Sequence, residues 1–194
     1  MDPAHSAEIF PHIRILLGTI VGLGITRLLM TFAGMVQHPR RAKESALHLI
    51  WMASILLEIV LFWWWEFALF QLPFWTFGVA LFLISYAVTL FLMATLLSPD
   101  NISEYTGYED FFIKRRRWFF GLLALTFVFD TIDTLLKGAT HWENFGASYF
   151  IQVPIGLILC VIAWRSDNRR VHFAIVGLHI TYQIYLMTRF FYVN

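Results

Sequence analysis

Six apolar stretches, each long enough to cross a lipid bilayer, constrain this chain more than any other feature. A helix needs about 20 apolar residues to cross the hydrocarbon core, which is roughly 30 Å thick. Strict alternation of apolar and polar residues is absent, which disfavours a transmembrane β-barrel. The sequence therefore predicts an all-α polytopic membrane protein, in which 1–194 is a single transmembrane domain with spans at about 12–36, 46–71, 74–97, 118–137, 145–164 and 171–193.

The composition supports the membrane class and disfavours several soluble ones. Charged residues make up 14% of the chain, against about 25% in a soluble domain. A chain of 194 residues with 59% hydrophobic residues exposes too much apolar surface for a soluble fold. Cys160 is the only cysteine, so an internal disulfide is excluded. P-loop, dinucleotide-turn and GxSxG motifs are missing, so a soluble-type enzyme is not expected.

The positive charges predict how the chain is oriented. Ten of the 14 Lys and Arg residues fall in alternate links between spans: Arg40, Arg41, Lys43, Lys114, Arg115, Arg116, Arg117, Arg165, Arg169 and Arg170. By the positive-inside rule these links are cytoplasmic, and the N-terminus and C-terminus both lie outside. We expect a bacterial-type inner (plasma) membrane. The basic residues mark topology rather than a nucleic-acid surface, so no nucleic-acid partner is predicted.

The link between the third and fourth spans is the only sizeable one. Tyr105, Tyr108 and Phe112 fall on one helical face, which predicts a short amphipathic helix on the cytoplasmic membrane surface. Four consecutive cations follow. These are Lys114, Arg115, Arg116 and Arg117. They either mark the topology of the chain or bind the headgroups of anionic lipids in the bilayer.

Polar residues inside the spans mark the candidate site. Arg27, Glu58, Asp130 and His179 fall at similar depth on four different spans, the first, second, fourth and sixth. A charged residue at such a depth costs roughly 2.5–3.5 kcal/mol on insertion scales, and it usually has a partner or a function. We therefore expect these four spans to line a polar centre, while the third and fifth spans face lipid or a neighbouring subunit.

The charges in this centre do not balance. Arg27 can neutralise either Glu58 or Asp130, and Asp133 can pair with Lys137, which follows four residues later. The remaining carboxylate is then protonated, paired with His179, or paired with a bound cation. Further polar groups lie nearer the outer side: Gln183, one turn outward from His179, and Glu66, which can reach toward the interface.

These residues are consistent with three hypotheses about function. The first is a small ion- or proton-conducting channel or transporter, expected from its size to be a homo-oligomer, with its pathway along Arg27, Glu58, Asp130, Asp133, His179 and Gln183. The second is an accessory or assembly subunit of a larger membrane complex, in which the charges fix helix packing. The third is a membrane redox protein, in which His48 and His172 hold haem b; no other metal site is predicted.

Overall fold

The computed structural model describes residues 3–38, 42–72 and 75–191, and within these ranges the chain forms helices and no strands. Six of the helices are long and apolar enough to cross a membrane, which confirms the predicted number of spans. Their bounds are α1 Pro3–Gln37, α2 Ala46–Trp65, α3 Phe77–Leu96, α4 Tyr108–Leu136, α5 Ala139–Arg165 and α6 Arg169–Phe191. Arg40, Arg41 and the two ends of the chain lie outside the described residues.

The predicted surface helix before the fourth span is not separate from that span. A short 3-10 turn, Ile102–Glu104, comes first, and α4 then runs without a break from Tyr108 to Leu136. Two observations explain the continuity. Phe111 and Phe112 are buried in the core of the bundle, and neither glycine nor proline occurs in residues 108–120. The cations Lys114 to Arg117 therefore lie on the first turns of α4.

The links that carry the cations meet at one end of the bundle, which we call the basic end. The backbone N–H of Tyr108 donates to the carbonyl of Lys43 at 3.1 Å. Gly107 permits this approach, because a Cβ at that position would lie 2.8 Å from the same oxygen. Arg116 forms an ion pair with Asp167 in the link between α5 and α6. Alternate links thus lie together, and the assignment of this end to the cytoplasm stays a prediction.

Helix α3 has one face packed inside the bundle and one face exposed at its surface. It packs between α1 and α4, α4 packs in turn against α5, and α2 packs against α6 and α1. Leu83, Leu90 and Met93 of α3 are almost completely buried. The opposite face stays exposed, with Phe77 81% and Leu81 50% exposed. The expectation that this uncharged span faces lipid or a neighbouring subunit stays a prediction for that face, while its other face packs in the bundle without needing a polar partner.

The outer surface of the bundle is strongly apolar. Phe77 is 81% exposed, Phe150 is 74% exposed and Ile15 is 69% exposed. Burial of apolar surface stabilises by about 25 cal/mol per Å², so large residues left outside would be costly in water. Such a surface is suited to lipid tails, and it agrees with six spans that cross a membrane.

Candidate functional site

A small polar cavity lies in the middle of the bundle between α2, α4, α5 and α6. It has a volume of about 30 Å³, and four of its lining residues are Glu58, Asp130, His179 and Gln183. These are four of the six residues that the sequence pointed to, and the structure brings them to one place. A water molecule needs roughly 10–15 Å³ of such space, so the cavity can hold one.

Helices α2 and α6 are joined by hydrogen bonds along one wall of this cavity. Ser54 Oγ lies 2.8 Å from His179 Nδ1 and donates to Gln183 Oε1 at 3.2 Å. The Gln183 amide in turn donates to Glu58 and to the carbonyl of Ser54. A hydroxyl has only one proton to donate. The pattern therefore assigns the His179 proton to Nδ1 and leaves Nε2 as the acceptor of the ring.

Helix α5, which was expected to face lipid or a neighbouring subunit, contributes two polar residues to the same centre. The Tyr149 hydroxyl donates to Asp130 Oδ2 at 2.9 Å and lies 2.7 Å from Thr134 Oγ1. The Tyr182 hydroxyl of α6 donates to Gln152 Oε1. Sequence reasoning missed these residues because α5 has no charge in this part of its span, and a tyrosine near a span end is usually an interfacial residue.

A buried ion triad lies further from the basic end. Lys137 pairs with Asp133, as the four-residue spacing predicts, and also with Glu66 Oε1 at 3.2 Å. The Lys137 side chain is 2% exposed and the two carboxylate side chains are 8% exposed or less. Glu66 does not reach for the interface. It begins the 3-10 helix Glu66–Gln71 that follows α2, and its buried carboxylate pairs with Lys137 at the end of α4.

Arg27 is not part of the central cluster. Its Nη2 atom lies 2.7 Å from Asp100 Oδ1 and donates to the carbonyl of Ser98 at 3.2 Å. Both partners belong to the link after α3, so the side chain extends toward the basic end. Two features explain the difference from the expected pairing with Glu58 or Asp130. α1 packs mainly against α3, and a long arginine can extend its head to the interface.

His48 and His172 are both fully buried, and each is held to the backbone through one ring nitrogen. Each Nε2 already lies 2.8 Å from a backbone carbonyl, that of Leu97 for His48 and that of Ser166 for His172. The two imidazoles also pack against different aromatic side chains of α4: Tyr108 and Phe111 for His48, and Phe112 and Phe120 for His172. Nδ1 of each ring has no hydrogen-bond partner among the residues that the structure describes, and ligating histidines usually hold their other nitrogen in a bond to a carbonyl of this kind, so the haem alternative stays a prediction. The described residues contain no group of three or more His, Cys, Asp or Glu suited to a metal ion.

An aromatic layer separates the polar centre from the basic end. It consists of Trp51, Phe112, Phe119 and Phe120, all 1% exposed or less, with ring centroids between 4.9 and 6.1 Å apart. Trp51 also lies 5.7 Å from His179 on one side of the layer, and Phe120 stacks on His172 at 5.5 Å on the other. Such close packing leaves no room for water between the two histidines.

The four consecutive cations of α4 each have a partner within the chain. Lys114 pairs with Asp110 at 2.9 Å and Arg115 donates to the Tyr105 hydroxyl at 2.9 Å. Arg117 lies over the Trp164 ring at 5.4 Å, and Arg116 is paired with Asp167 as described above. The exposed members of the set, such as Lys114, keep the capacity to bind lipid headgroups, and that role stays a prediction.

The fold and the apolar surface define the class: a polytopic α-helical bundle with the composition of an integral membrane protein. The chain matches no protein-family model, no curated protein and no solved structure. Its function is therefore inferred from the geometry of its buried polar groups.

Proposed function

We propose that this protein moves protons across the membrane, as a channel or as part of a coupled transporter. Glu58 and Asp130 bind the proton in transit, and His179 is a third group that can exchange it. Carboxylates and histidines in membrane spans commonly form proton relays.

One observation carries this proposal: two carboxylates share the central cavity without a cation. Glu58 accepts from the Gln183 amide and Asp130 accepts from the Tyr149 hydroxyl, both neutral donors. Within the described residues, neither carboxylate forms a salt bridge; the nearby Lys137 is taken by Glu66 and Asp133. Two such acids, close together in an apolar span, can lose or balance their negative charge only by binding a proton or another cation.

Hydrogen bonds offer a route for the proton away from the basic end. Thr134, Tyr149 and Asp130 form a continuous row of oxygen atoms with separations of 2.7 and 2.9 Å. Hydroxyl groups both donate and accept, so a proton can be handed along such a row. Thr134 follows Asp133 in the chain, and the row therefore extends from the cavity toward the ion triad.

Access from the basic end is closed by the aromatic layer. A proton would have to cross the packed rings of Trp51, Phe119 and Phe120 to pass from His179 to His172. The packed rings thus close the cavity toward the basic end in this conformation. A cycle of transport then requires a second conformation in which this layer separates, as in gated or alternating-access proteins.

The proposal is tested by measuring proton flux into proteoliposomes that contain the purified protein. Asp130→Asn keeps the size of the side chain and removes its ability to bind the proton, so the flux should fall by about tenfold or more. Asp110→Asn is the matched control, because Asp110 is an acid of the same helix that pairs with Lys114 at the basic end. This variant should conduct like the wild type.

Folding must be equal in the three proteins, as judged by monodispersity and by thermal unfolding in detergent. Equal flux through wild type and Asp130→Asn would contradict the proposed role of the cavity. Absence of flux through the wild type, under both signs of membrane potential and over pH 5 to 8, would show that the buried charges serve helix packing.

A further inference from the structure

An apolar groove opens toward the lipid between α5 and α6, with α4 as its floor. Its volume is about 410 Å³, which is in the range of roughly 300–1,000 Å³ typical of ligand sites. Ile151, Ile155 and Leu178 form its rim and are 51–65% exposed. Phe127 of the α4 floor packs directly on Gly156 of α5, where an added Cβ would come within 2.5 Å of the ring.

The inner end of the groove is polar and borders the central cavity. Gln152, His179 and Tyr182 line both spaces, together with Phe127. The hydrogen bond from the Tyr182 hydroxyl to Gln152 joins α6 to α5 across this border. One layer of side chains thus separates a lipid-accessible groove from the two carboxylates of the cavity, Glu58 and Asp130.

The charge behind this border selects among the molecules that could enter from the membrane. Glu58 and Asp130 are acids with neutral hydrogen-bond donors, so the inner end of the groove is negative whenever either is ionised. A buried charge acts over longer distances than an exposed one, because the apolar surroundings screen it weakly. Anionic amphiphiles such as fatty acids are repelled, whereas cations are attracted. Phe127 and Tyr182 line the groove, and aromatic rings of this kind attract cations.

We infer that the groove binds a lipophilic cation, which enters from the lipid between α5 and α6. Such a molecule carries one positive charge that is quaternary or shielded by several aromatic or alkyl groups. This inference rests on the proposed function, because the acids that carry the proton are those that attract the cation. Proton and cation then compete for the same negative charge. Protonation of Glu58 or Asp130 releases the cation, and binding of the cation displaces the proton.

The probe is tetraphenylphosphonium, whose equilibrium binding to the purified protein in detergent is measured by dialysis. We expect saturable binding that weakens by about tenfold or more in Ile155→Trp, which fills the groove. Ile158→Trp is the matched control: Ile158 is 59% exposed on the same helix but lies outside the groove, and its substitution should leave binding unchanged. Asp130→Asn should weaken binding as well, and lowering the pH should weaken binding to the wild type.

Several results would overturn the inference. One is the absence of saturable binding to the wild type, and another is equal binding by Ile155→Trp. Equal affinity for triphenylphosphine oxide, a neutral molecule of similar size, would assign the groove to apolar ligands without charge selection. Displacement of the probe by an uncharged quinone at equal concentration would also show that the groove binds apolar ligands without selecting for charge. Proton flux without probe binding contradicts this inference alone, while probe binding without proton flux contradicts the proposed function alone.

Discussion

Replacing Lys137 by methionine should destabilise the bundle strongly, because it removes the cation that Glu66 and Asp133 share. The Lys137 side chain is 2% exposed, and the side chains of Glu66 and Asp133 are 8% and 6% exposed. Removing one partner of a buried ion pair typically costs about 3–5 kcal/mol, because a charge is left buried without compensation. In a chain of this size each kcal/mol shifts the melting temperature by roughly 2–4 °C, so a fall of roughly 6–20 °C is expected.

The assay is thermal unfolding of the purified protein in mild detergent, with Lys114→Met as the matched control. Lys114 also pairs with an aspartate four residues earlier, Asp110, but its side chain is 56% exposed. An exposed pair of this kind contributes at most about 1 kcal/mol, so the control should melt within roughly 2–4 °C of the wild type.

A second comparison separates the loss of charge pairing from the loss of packing. Adding Glu66→Gln and Asp133→Asn to Lys137→Met removes the uncompensated charges while it keeps the side-chain volumes, and most of the stability should return. Lower pH should also restore part of the stability of Lys137→Met, since protonated carboxyl groups carry no charge. Equal small shifts for Lys137→Met and Lys114→Met would refute the reasoning, because the triad would then be no more buried than the surface pair.

Three further predictions are checked by the same melting assay, and the last of them also by proton leak. Gly156→Ala should lower the stability by about 1–3 kcal/mol, because its Cβ would come within 2.5 Å of the Phe127 ring. Its control is Gly121→Ala, which has nothing within 4 Å of the added Cβ and should be neutral or stabilise by up to ~1 kcal/mol. Arg27→Ala should cost no more than about 1 kcal/mol, since it pairs with an exposed carboxylate; a larger loss would favour the central pairing that the sequence suggested. Trp51→Ala should cost about 3–5 kcal/mol and should raise proton leak through liposomes, and an unchanged leak would argue against the aromatic layer as the barrier.

The sequence alone established the features that depend on length and local spacing. The number of spans follows from the thickness of the hydrocarbon core, and the structure confirms six helices of sufficient length. The pairing of Asp133 with Lys137 follows from the four-residue period of a helix. The similar depth of Glu58, Asp130 and His179 was also readable, because the rise per residue fixes depth to within about a turn.

Only the tertiary structure decided which helices touch and which way each residue faces. Arg27 and Asp130 have similar predicted depths, yet Arg27 pairs with Asp100 because α1 packs on α3. Tyr149 joins the polar centre because α5 packs on α4. In a membrane all apolar faces are equally soluble in lipid, so hydropathy does not choose neighbours. Shape complementarity and hydrogen bonds between distant segments make that choice, and neither can be read from the local sequence.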